Sequence, residues 1–413
     1  MANIIIFSLI ILAILAAHIE KPAFRFQLNV LGTTYWTHLR FVHTKRETEE
    51  VFMDFGEGLP LTIRYSNVEG KLYKDRKHEE VMVYIYKKTV GKKIYYYLRA
   101  SERKGERVVA KDILYLGSTI PEVKKALEHL PKQKEQIRKA YKTIHRFLEV
   151  NHYREKILEK KVKQDTWLEE QLIPVEACAL HYRTIFQQQP KITQQEILKN
   201  FVVEFAFNTT AIEGNTIKLN QARSLLQEGL TPINKTVREI HDLQNTEKVF
   251  FGLMNSKEAI THEFIIKTHE ALMEHIDPRK GYRTEDVRVI KANFKATPAP
   301  YVRTDMELLL KWFQEEKNKL HPLVLATLFH HKFEKIHPFM DGNGRTGRML
   351  MNYILLTEKY PPLVIRTNKR NVYLQALREA DKSDLFKTEK GVYKQLVNFV
   401  AAEMSENYWN IFL

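Results

Sequence analysis

Residues 336–348, with the sequence IHPFMDGNGRTGR, are the most informative part of the chain. It lies between two apolar segments with helical periodicity, one ending near Phe333 and one beginning at Met349. The glycines of residues 342–344, at the start of the second helix, let backbone N–H groups approach an anion. The dipole of that helix favours negative charge at the same place. The stretch therefore predicts two helices joined by a loop that binds phosphate.

Four side chains of this stretch carry chemistry. Arg345 and Arg348 lie three residues apart, so both planar guanidinium groups can reach one anion. Asp341 supplies the hard oxygen ligand that a phosphate-bound Mg²⁺ needs. His337 is the one group of the stretch suited to accept a proton near neutral pH, which makes it the candidate general base. Together these groups predict phosphoryl or nucleotidyl transfer.

Residues 337–348 resemble the signature HPFx(D/E)GNGRxxR of the Fic-domain protein adenylyltransferases, and every specified position is present. The resemblance extends over residues 166–413. It implies a mainly α fold with a Fic-type helical core at about residues 260–385. It also implies a β-hairpin flap, for which residues 287–302 have the extended pattern, although no glycine lies in their middle.

The resemblance implies a role for each residue of the motif. His337 would deprotonate a Ser, Thr or Tyr hydroxyl of a target protein, which attacks the α-phosphorus of ATP and releases pyrophosphate. Asp341 would hold Mg²⁺, and Asn343 would orient the α-phosphate. Gly344 argues against the related Doc-type kinases, which carry Lys there. The ATP- and phosphate-binding set implied by the resemblance is Gly342, Asn343, Gly344, Arg345, Arg348, Tyr373 and Asp381.

A second segment, residues 209–215 (TTAIEGN), resembles the inhibitory (S/T)xxxE(G/N) helix that precedes the core of self-restrained Fic proteins. Thr209 and Glu213 take the specified positions, and the helix is expected at about residues 195–215. A carboxylate beside Arg348 would occupy the place of the ATP γ-phosphate. The alternative is that Glu213 is a solvated residue at a helix end, followed by ordinary stop signals.

Length and composition bound the rest of the chain. The 413 residues allow two or three domains, and one cysteine, Cys178, excludes a disulfide scaffold and fits a reducing compartment. The formal net charge is +15, of which +12 falls within residues 1–165. This asymmetry predicts an anionic partner for the N-terminal part, either nucleic acid or a membrane surface. A solvated lysine-rich surface is the alternative.

Four regions are predicted: an apolar leader at residues 1–20, a basic β-rich domain at 21–120, a helical linker at 121–165 and the Fic-type region at 166–413. Residues 1–17 form an uncharged run that is marginal for a membrane span, so we expect a cytoplasmic chain with a possible membrane segment at its start. Three segments, 81–86, 94–98 and 108–116, predict an antiparallel meander. Its interleaved tyrosines and lysines are typical of single-stranded nucleic-acid platforms, or of tyrosines that pack on a sheet.

These observations favour an Mg²⁺-dependent protein adenylyltransferase that is restrained by Glu213. One alternative is removal of AMP from a modified protein, with Glu213 positioning a water. Another is a nucleic-acid-binding or membrane-docked regulator whose Fic site serves self-modification. The expected partners are an unidentified target protein, the chain itself as an acceptor, and a second copy in a homodimer.

Overall fold

The structure is a computed structural model of the chain. It describes the backbone of residues 23–30, 33–43, 48–54, 61–66, 82–91, 93–104, 107–130, 134–287 and 295–413. Side chains are described for residues 82–91, 93–101, 108–130, 134–287 and 295–413. The predicted leader at residues 1–20 lies outside the described residues. The chain divides into two compact units, Met1–Glu80 and Val81–Leu413.

The first unit contains a four-stranded antiparallel sheet. Its strands are β1 (Ala23–Val30), β2 (Thr33–His43), β3 (Thr48–Asp54) and β4 (Leu61–Ser66), and they are hydrogen-bonded in sequence order. Phe26 lies opposite Thr37 on β2, and Val51 lies opposite Ile63 on β4. The sheet accounts for the β-rich character that the sequence predicts here.

The second unit begins with the antiparallel meander that the sequence predicts. Its strands are β5 (Met82–Val90), β6 (Lys93–Lys104) and β7 (Arg107–Gly117). Alternation along β6 buries Tyr96 and Leu98 on the inner face. Tyr97, on the outer face, lies opposite Tyr86 on one side and Tyr115 on the other.

Three helices cover the inner face of this sheet: α1 (Ile120–Glu128), α2 (Lys134–Lys139) and α3 (Tyr141–Glu159). Ile120 and Ile144 share a hydrophobic cluster with Leu98, while Tyr153 and Ile157, farther along α3, pack into the helical core. The region predicted as a helical linker is therefore packed on both sides. Because the sheet shares a core with α1–α3, the division between units falls inside the region that we predicted as one β-rich domain.

The remainder is helical, which confirms the predicted fold class of a mainly α core preceded by a small basic β-containing region. The helices are α4 (Leu172–Thr184), α5 (Lys191–Ile212), α6 (Leu219–Glu228), α7 (Val237–Met254), α8 (His262–Leu272), α9 (Val302–Glu316), α10 (Pro322–Ile336), α11 (Asn343–Thr357), α12 (Arg370–Ala380) and α13 (Lys390–Ile411). Short 3₁₀ turns are Glu169–Gln171, Phe186–Gln188, Ala299–Tyr301 and Thr367–Lys369.

Helices α10 and α11 lie at the centre of the helical core. α10 is buried from Leu323 to Phe333 without interruption, which is typical of a helix surrounded by other helices. α11 packs against it, and Phe329 and Leu350 belong to the same hydrophobic cluster. This burial fixes both ends of the loop that joins the two helices.

The predicted hairpin flap is only partly described. Residues 281–287 and 295–298 are not strands in the described part of the chain, and residues 288–294 lie outside it. The end of the predicted flap needs correction, because Ala299–Tyr301 is a 3₁₀ turn that leads directly into α9 at Val302. Pro300 lies in the first turn of this helical segment, where its missing N–H costs no hydrogen bond.

The part of the chain that the structure describes contains no helix that is long and apolar enough to cross a membrane.

Candidate active site

The loop between α10 and α11 has left-handed backbone at both of its ends. His337 ends α10 with φ 55° and ψ 60°, and its N–H donates to the Phe333 carbonyl (3.0 Å). Gly342 begins α11 with φ 77°, and a Cβ there would lie 2.6 Å from the sulfur of Met273. The left-handed conformation therefore favours glycine at position 342, and the close approach of the Met273 side chain adds to this preference.

Hydrogen bonds inside the loop hold it in one shape. The buried side-chain amide of Asn343 donates to the Phe339 carbonyl (2.8 Å) and accepts from the Phe339 N–H (2.9 Å). His269 stacks on the Phe339 ring, with centroids 3.6 Å apart, and its Nε2–H donates to the Asp341 carbonyl (2.9 Å). Since the Asn343 amide is engaged in the loop, an α-phosphate contact by this side chain stays a prediction.

The imidazole of His337 has one defined tautomer. Its Nδ1 lies 3.3 Å from the Glu334 carbonyl, which can only accept, so Nδ1 carries the proton and Nε2 keeps its lone pair. Burial lowers the pKa of His337 below its usual value, and the positive charge of Arg283 adds to this effect. His337 is therefore neutral at neutral pH, the form that a general base needs.

A cavity of about 260 Å³ lies beside the loop and the start of α11. Its wall brings together nine of the residues that the sequence singles out: Glu213, His337, Asp341, Gly342, Asn343, Gly344, Arg348, Tyr373 and Asp381. The first three N–H groups of α11 have no partner within the helix, so they are donors available to an anion. The cavity thus combines a base, a helix N-terminus and a buried guanidinium.

Arg348 is buried and bonded to the end of α5. Its Nε donates to the Thr209 hydroxyl (2.8 Å), and its Nη2 donates to the Thr209 carbonyl (3.0 Å) and to Glu213 Oε1 (2.6 Å). Burial alone would lower the pKa of Arg348, but the charge of Glu213 raises it above the usual value. A Cβ at Gly344 would lie 2.0 Å from Glu213 Oε1, so the glycine leaves room for the pair. The predicted contact between Glu213 and Arg348 is present.

Arg345 lies elsewhere. Its guanidinium is buried against Asp242 of α7, and its Nη2 is 3.6 Å from Asp341 Oδ1. Arg345 is not one of the described residues that line the cavity. The structure therefore does not bring the two arginines together on one anion site, and a phosphate contact by Arg345 stays a prediction.

Asp341 is the carboxylate of the cavity wall nearest to the start of α11. It accepts from the Gly342 N–H (2.6 Å) and pairs with Arg238 of α7. Burial would raise the pKa of Asp341, but Arg345 and Arg238 bring it below the usual value, so the group is ionised. No cluster of three or more His, Cys, Asp or Glu that could hold a metal occurs among the described residues. Phosphate-bound Mg²⁺ commonly uses one or two protein carboxylates and takes its other ligands from phosphate and water.

Tyr373 and Asp381 are in the cavity wall, but their polar atoms are already engaged. The hydroxyl of Tyr373 is hydrogen-bonded to Nε2 of His330 (2.5 Å). Asp381 Oδ1 accepts from Nε2 of His331 (3.0 Å). Both side chains form part of the cavity wall. Their predicted contacts with adenosine stay predictions.

Two residues of the site were missed at the sequence level. Arg283, before the predicted flap, donates to the carbonyl of His337 (2.7 Å). Glu334 lines the cavity, and its buried Oε1 has no hydrogen-bond partner within the described part of the chain. Burial raises the pKa of Glu334 to about 8, although Arg348 opposes the shift. The available signal was the one carboxylate of α10, three residues before His337.

Comparison with known proteins agrees with this geometry. Residues 259–355 match the model of the Fic/DOC family. Protein adenylyltransferase Fic of Drosophila grimshawi is 32% identical over 195 residues, which cover 45% of this chain and 40% of the fly protein. Protein adenylyltransferase fic-1 of Caenorhabditis elegans is 30% identical over 187 residues, covering 44% and 37%. The chain thus spans about two fifths of the length of these curated relatives.

Solved structures show the same fold. A Fic-domain-containing signaling protein from Bacteroides thetaiotaomicron superposes with a TM-score of 0.53 at 23% identity, covering 57% of this chain and 94% of that one. Fic-1 from C. elegans gives a TM-score of 0.50 at 22% identity, covering 71% and 81%. The motif, the cavity around it and these matches agree, and the chain therefore contains a domain of the Fic/DOC family at residues 259–355.

Proposed function

We propose that the chain is a protein adenylyltransferase that moves AMP from ATP onto a Ser, Thr or Tyr hydroxyl. The observation that carries the proposal is one cavity lined by His337, whose Nε2 keeps its lone pair, by the start of α11 and by Arg348. The curated relatives carry the name of this activity.

In the proposed reaction, His337 Nε2 accepts the proton of the acceptor hydroxyl. The hydroxyl oxygen forms a bond to the α-phosphorus, and the bond from that phosphorus to the bridging oxygen breaks. Pyrophosphate leaves with the electron pair. The N–H groups at the start of α11 stabilise the negative charge that builds on the phosphate, because they are fixed in place before the reaction.

We assign Asp341 as the carboxylate that would hold Mg²⁺. Asp341 is a single, partly exposed carboxylate, which suits a cation that binds mainly through substrate phosphates and water. When bound, the ion neutralises phosphate charge. Arg238 and Arg345 keep Asp341 ionised meanwhile, which maintains an anionic ligand at the cavity wall.

We further propose that Glu213 restrains this activity. Its carboxylate takes the face of Arg348 that would otherwise meet the terminal phosphate of ATP, and the pair is short (2.6 Å). A triphosphate would then bind without the alignment that attack on the α-phosphorus requires. Because Glu213 caps the C-terminal end of α5, a movement of this helix would separate Glu213 from Arg348 and relieve the restraint.

The experiment is the intact mass of the full chain after incubation with ATP and Mg²⁺. We expect added AMP in wild type and none in His337→Ala, because loss of a general base costs about 10²- to 10⁴-fold. ATP labelled at the α-phosphate should label the chain, and ATP labelled at the γ-phosphate should not. EDTA should stop the reaction. Label from the γ-phosphate would replace adenylyl transfer with phosphorylation, and equal modification of His337→Ala would remove His337 as the base.

We propose a second activity for the outer face of the β5–β7 sheet: binding of single-stranded nucleic acid. Tyr97 and Tyr115 pack ring to ring there, with centroids 5.4 Å apart, and Arg99 stacks 3.6 Å over Tyr86. Exposed lysines such as Lys88 lie along the same strands. Bases stack on rings while cations meet phosphates, which favours nucleic acid over a membrane surface.

Fluorescence anisotropy with a labelled oligothymidylate tests this second proposal. Tyr115→Ala should weaken binding at least about fivefold, since stacking of one base contributes about 1–3 kcal/mol. Tyr141→Ala, another exposed tyrosine but on α3, is the matched control. Affinity should fall steeply with added salt. Binding that is equal in both variants would reject this surface as the site.

A further inference from the structure

The guanidinium of Arg283 is fully buried and surrounded by backbone carbonyls. Its Nε donates to the His337 carbonyl (2.7 Å), its Nη1 donates to the Glu285 carbonyl (2.9 Å), and its Nη2 donates to the Thr297 carbonyl. A fourth, longer contact joins Nη2 to the Ile336 carbonyl (3.4 Å). One side chain therefore connects four carbonyls from three segments of the chain, at residues 285, 297 and 336–337.

These contacts surround the backbone of His337. The backbone N–H of Arg283 donates to the carbonyl of Pro338 (2.9 Å), so Arg283 bonds the peptides before and after the histidine. His337 has φ 55°, a left-handed conformation that costs energy for a residue with a Cβ. Such a conformation persists where the surrounding contacts hold it, and those of Arg283 act on this peptide directly.

The charge of Arg283 is not needed for an ion pair. Asp286 is the carboxylate near it, at 3.9 Å, and that side chain is exposed. Burial lowers the pKa of Arg283, with Asp286 opposing the change. What the site uses is the flat fork of N–H donors, in which three nitrogens donate to carbonyls of three segments at once.

We propose that Arg283 is the positioning residue of the general base, because its guanidinium holds the His337 peptide in the conformation that turns Nε2 toward the cavity. The rate measurement that tests this inference rests on the proposed adenylyl transfer, whereas the NMR measurement on His337 does not. Arg283 is not one of the described residues that line the cavity that we assign to ATP. Its loss should therefore affect the chemical step and leave nucleotide binding intact.

The first measurement is the rate of AMP incorporation against ATP concentration in Arg283→Lys. Lysine keeps the charge, but its single ammonium nitrogen cannot replace three nitrogens that donate to carbonyls at separate positions around the guanidinium. We expect kcat to fall about 10- to 100-fold, as for a displacement of ~1 Å at a reacting group, while KM for ATP changes less than about twofold. Arg303→Lys is the control, since Arg303 is exposed at the start of α9.

The second measurement is the NMR chemical shift of the His337 ring in histidine-labelled protein, with the signal assigned from His337→Gln. Arg283→Lys keeps the positive charge, so a changed shift in this variant reports a changed position of the ring and not a lost charge. We expect the shift to change in Arg283→Lys and to stay as in wild type in Arg303→Lys.

The results separate the two proposals. Reduced kcat at constant KM in Arg283→Lys, with a changed chemical shift of the His337 ring, supports the positioning role. Unchanged kcat in folded Arg283→Lys, or an unchanged chemical shift of the ring, overturns it. If wild type transfers no AMP, the proposed function fails, and the chemical shift of the His337 ring still decides the inference.

Discussion

At the scale of single residues, Glu334 is a carboxyl group in surroundings that oppose its charge. It lies among His330, Arg348 and the backbone of Gly347, where a Cβ would be 2.7 Å from Glu334 Oε1. Burial raises its pKa from 4.5 to about 8, more than the nearby arginine lowers it. At neutral pH the folded chain therefore keeps a proton on Glu334 that the unfolded chain has released.

This predicts the effect of Glu334→Gln on stability. Between pH 4.5 and about 8 the carboxyl group of Glu334 is mostly deprotonated in the unfolded chain and mostly protonated in the folded chain. The free energy of unfolding of the wild type therefore falls as pH rises through this range. Glutamine does not titrate. The advantage of Glu334→Gln over wild type should therefore grow by more than about 1 kcal/mol from pH 5 to pH 8 in urea unfolding. A constant difference across that range would contradict the assignment.

Most of the predicted residues that the structure brings together at the cavity lie inside contiguous motifs. His337, Asp341 and Arg348 share one short stretch, and the contact between Glu213 and Arg348 follows from a second motif. Contacts between distant segments were not accessible in this way. Asp242, for example, binds Arg345 from a position 103 residues away, and nothing in its own segment marks it as a partner.

At the scale of elements, α5 is the helix that carries the restraint, and it is anchored at its C-terminal end. Asn208 Oδ1 accepts from the Thr367 N–H (2.9 Å), and Arg370 Nε donates to the carbonyl of Ile212 (2.8 Å). Arg348 satisfies the carbonyl of Thr209. These partners satisfy groups that a helix end leaves unpaired, so they hold Glu213 in place.

Thr209→Val tests this anchoring. The change keeps the shape of the buried side chain and removes the hydroxyl that accepts from Arg348 Nε (2.8 Å). One hydrogen bond to a charged group contributes about 1.5–3 kcal/mol at most. We expect AMP incorporation to rise about two- to tenfold, less than on loss of the Glu213 carboxylate. Incorporation equal to wild type, in a variant of equal thermal stability, would show that the hydroxyl has no part in the restraint.

Helical periodicity predicted the elements better than the pattern of residues 281–302 did. The helix predicted at about residues 195–215 is present as α5, and the two helices predicted to be joined by a phosphate-binding loop are present as α10 and α11. The predicted flap failed at its end because alternation and prolines indicate extended backbone, whereas Ala299–Tyr301 uses Pro300 in the first turn of a helix. Over so short a segment, an alternating sequence pattern cannot distinguish the end of a hairpin from the first turn of a helix.

At the scale of the whole molecule, the boundary between Glu80 and Val81 allows a direct test of independence. The unit from Val81 onward has its own sheet, helices and hydrophobic clusters, and it contains the entire cavity. A chain of residues 81–413 should therefore fold. Its thermal midpoint should agree with that of the full chain within about 5 °C, and AMP incorporation should persist. Aggregation or a molten state, seen by near-ultraviolet circular dichroism, would contradict the boundary.

The central claim is that one carboxylate restrains a site that is otherwise complete. Glu213 is half exposed, whereas its partner Arg348 is buried with the cavity around it. Removal of this carboxylate should therefore cost little stability and free the guanidinium for phosphate. Arg348→Ala should not have the same effect, because it removes the phosphate contact together with the restraint.

The measurement that tests this most directly is the rate of AMP incorporation into Glu213→Gly, followed by intact mass beside wild type, Arg348→Ala and the double variant Glu213→Gly with His337→Ala. We predict at least a tenfold rise in Glu213→Gly alone, since realignment of a reacting group by ~1 Å changes rates by about a hundredfold. The double variant should be inactive. Incorporation that is unchanged or lower in folded Glu213→Gly would contradict the account and would make removal of AMP, with Glu213 as a working residue, the better explanation.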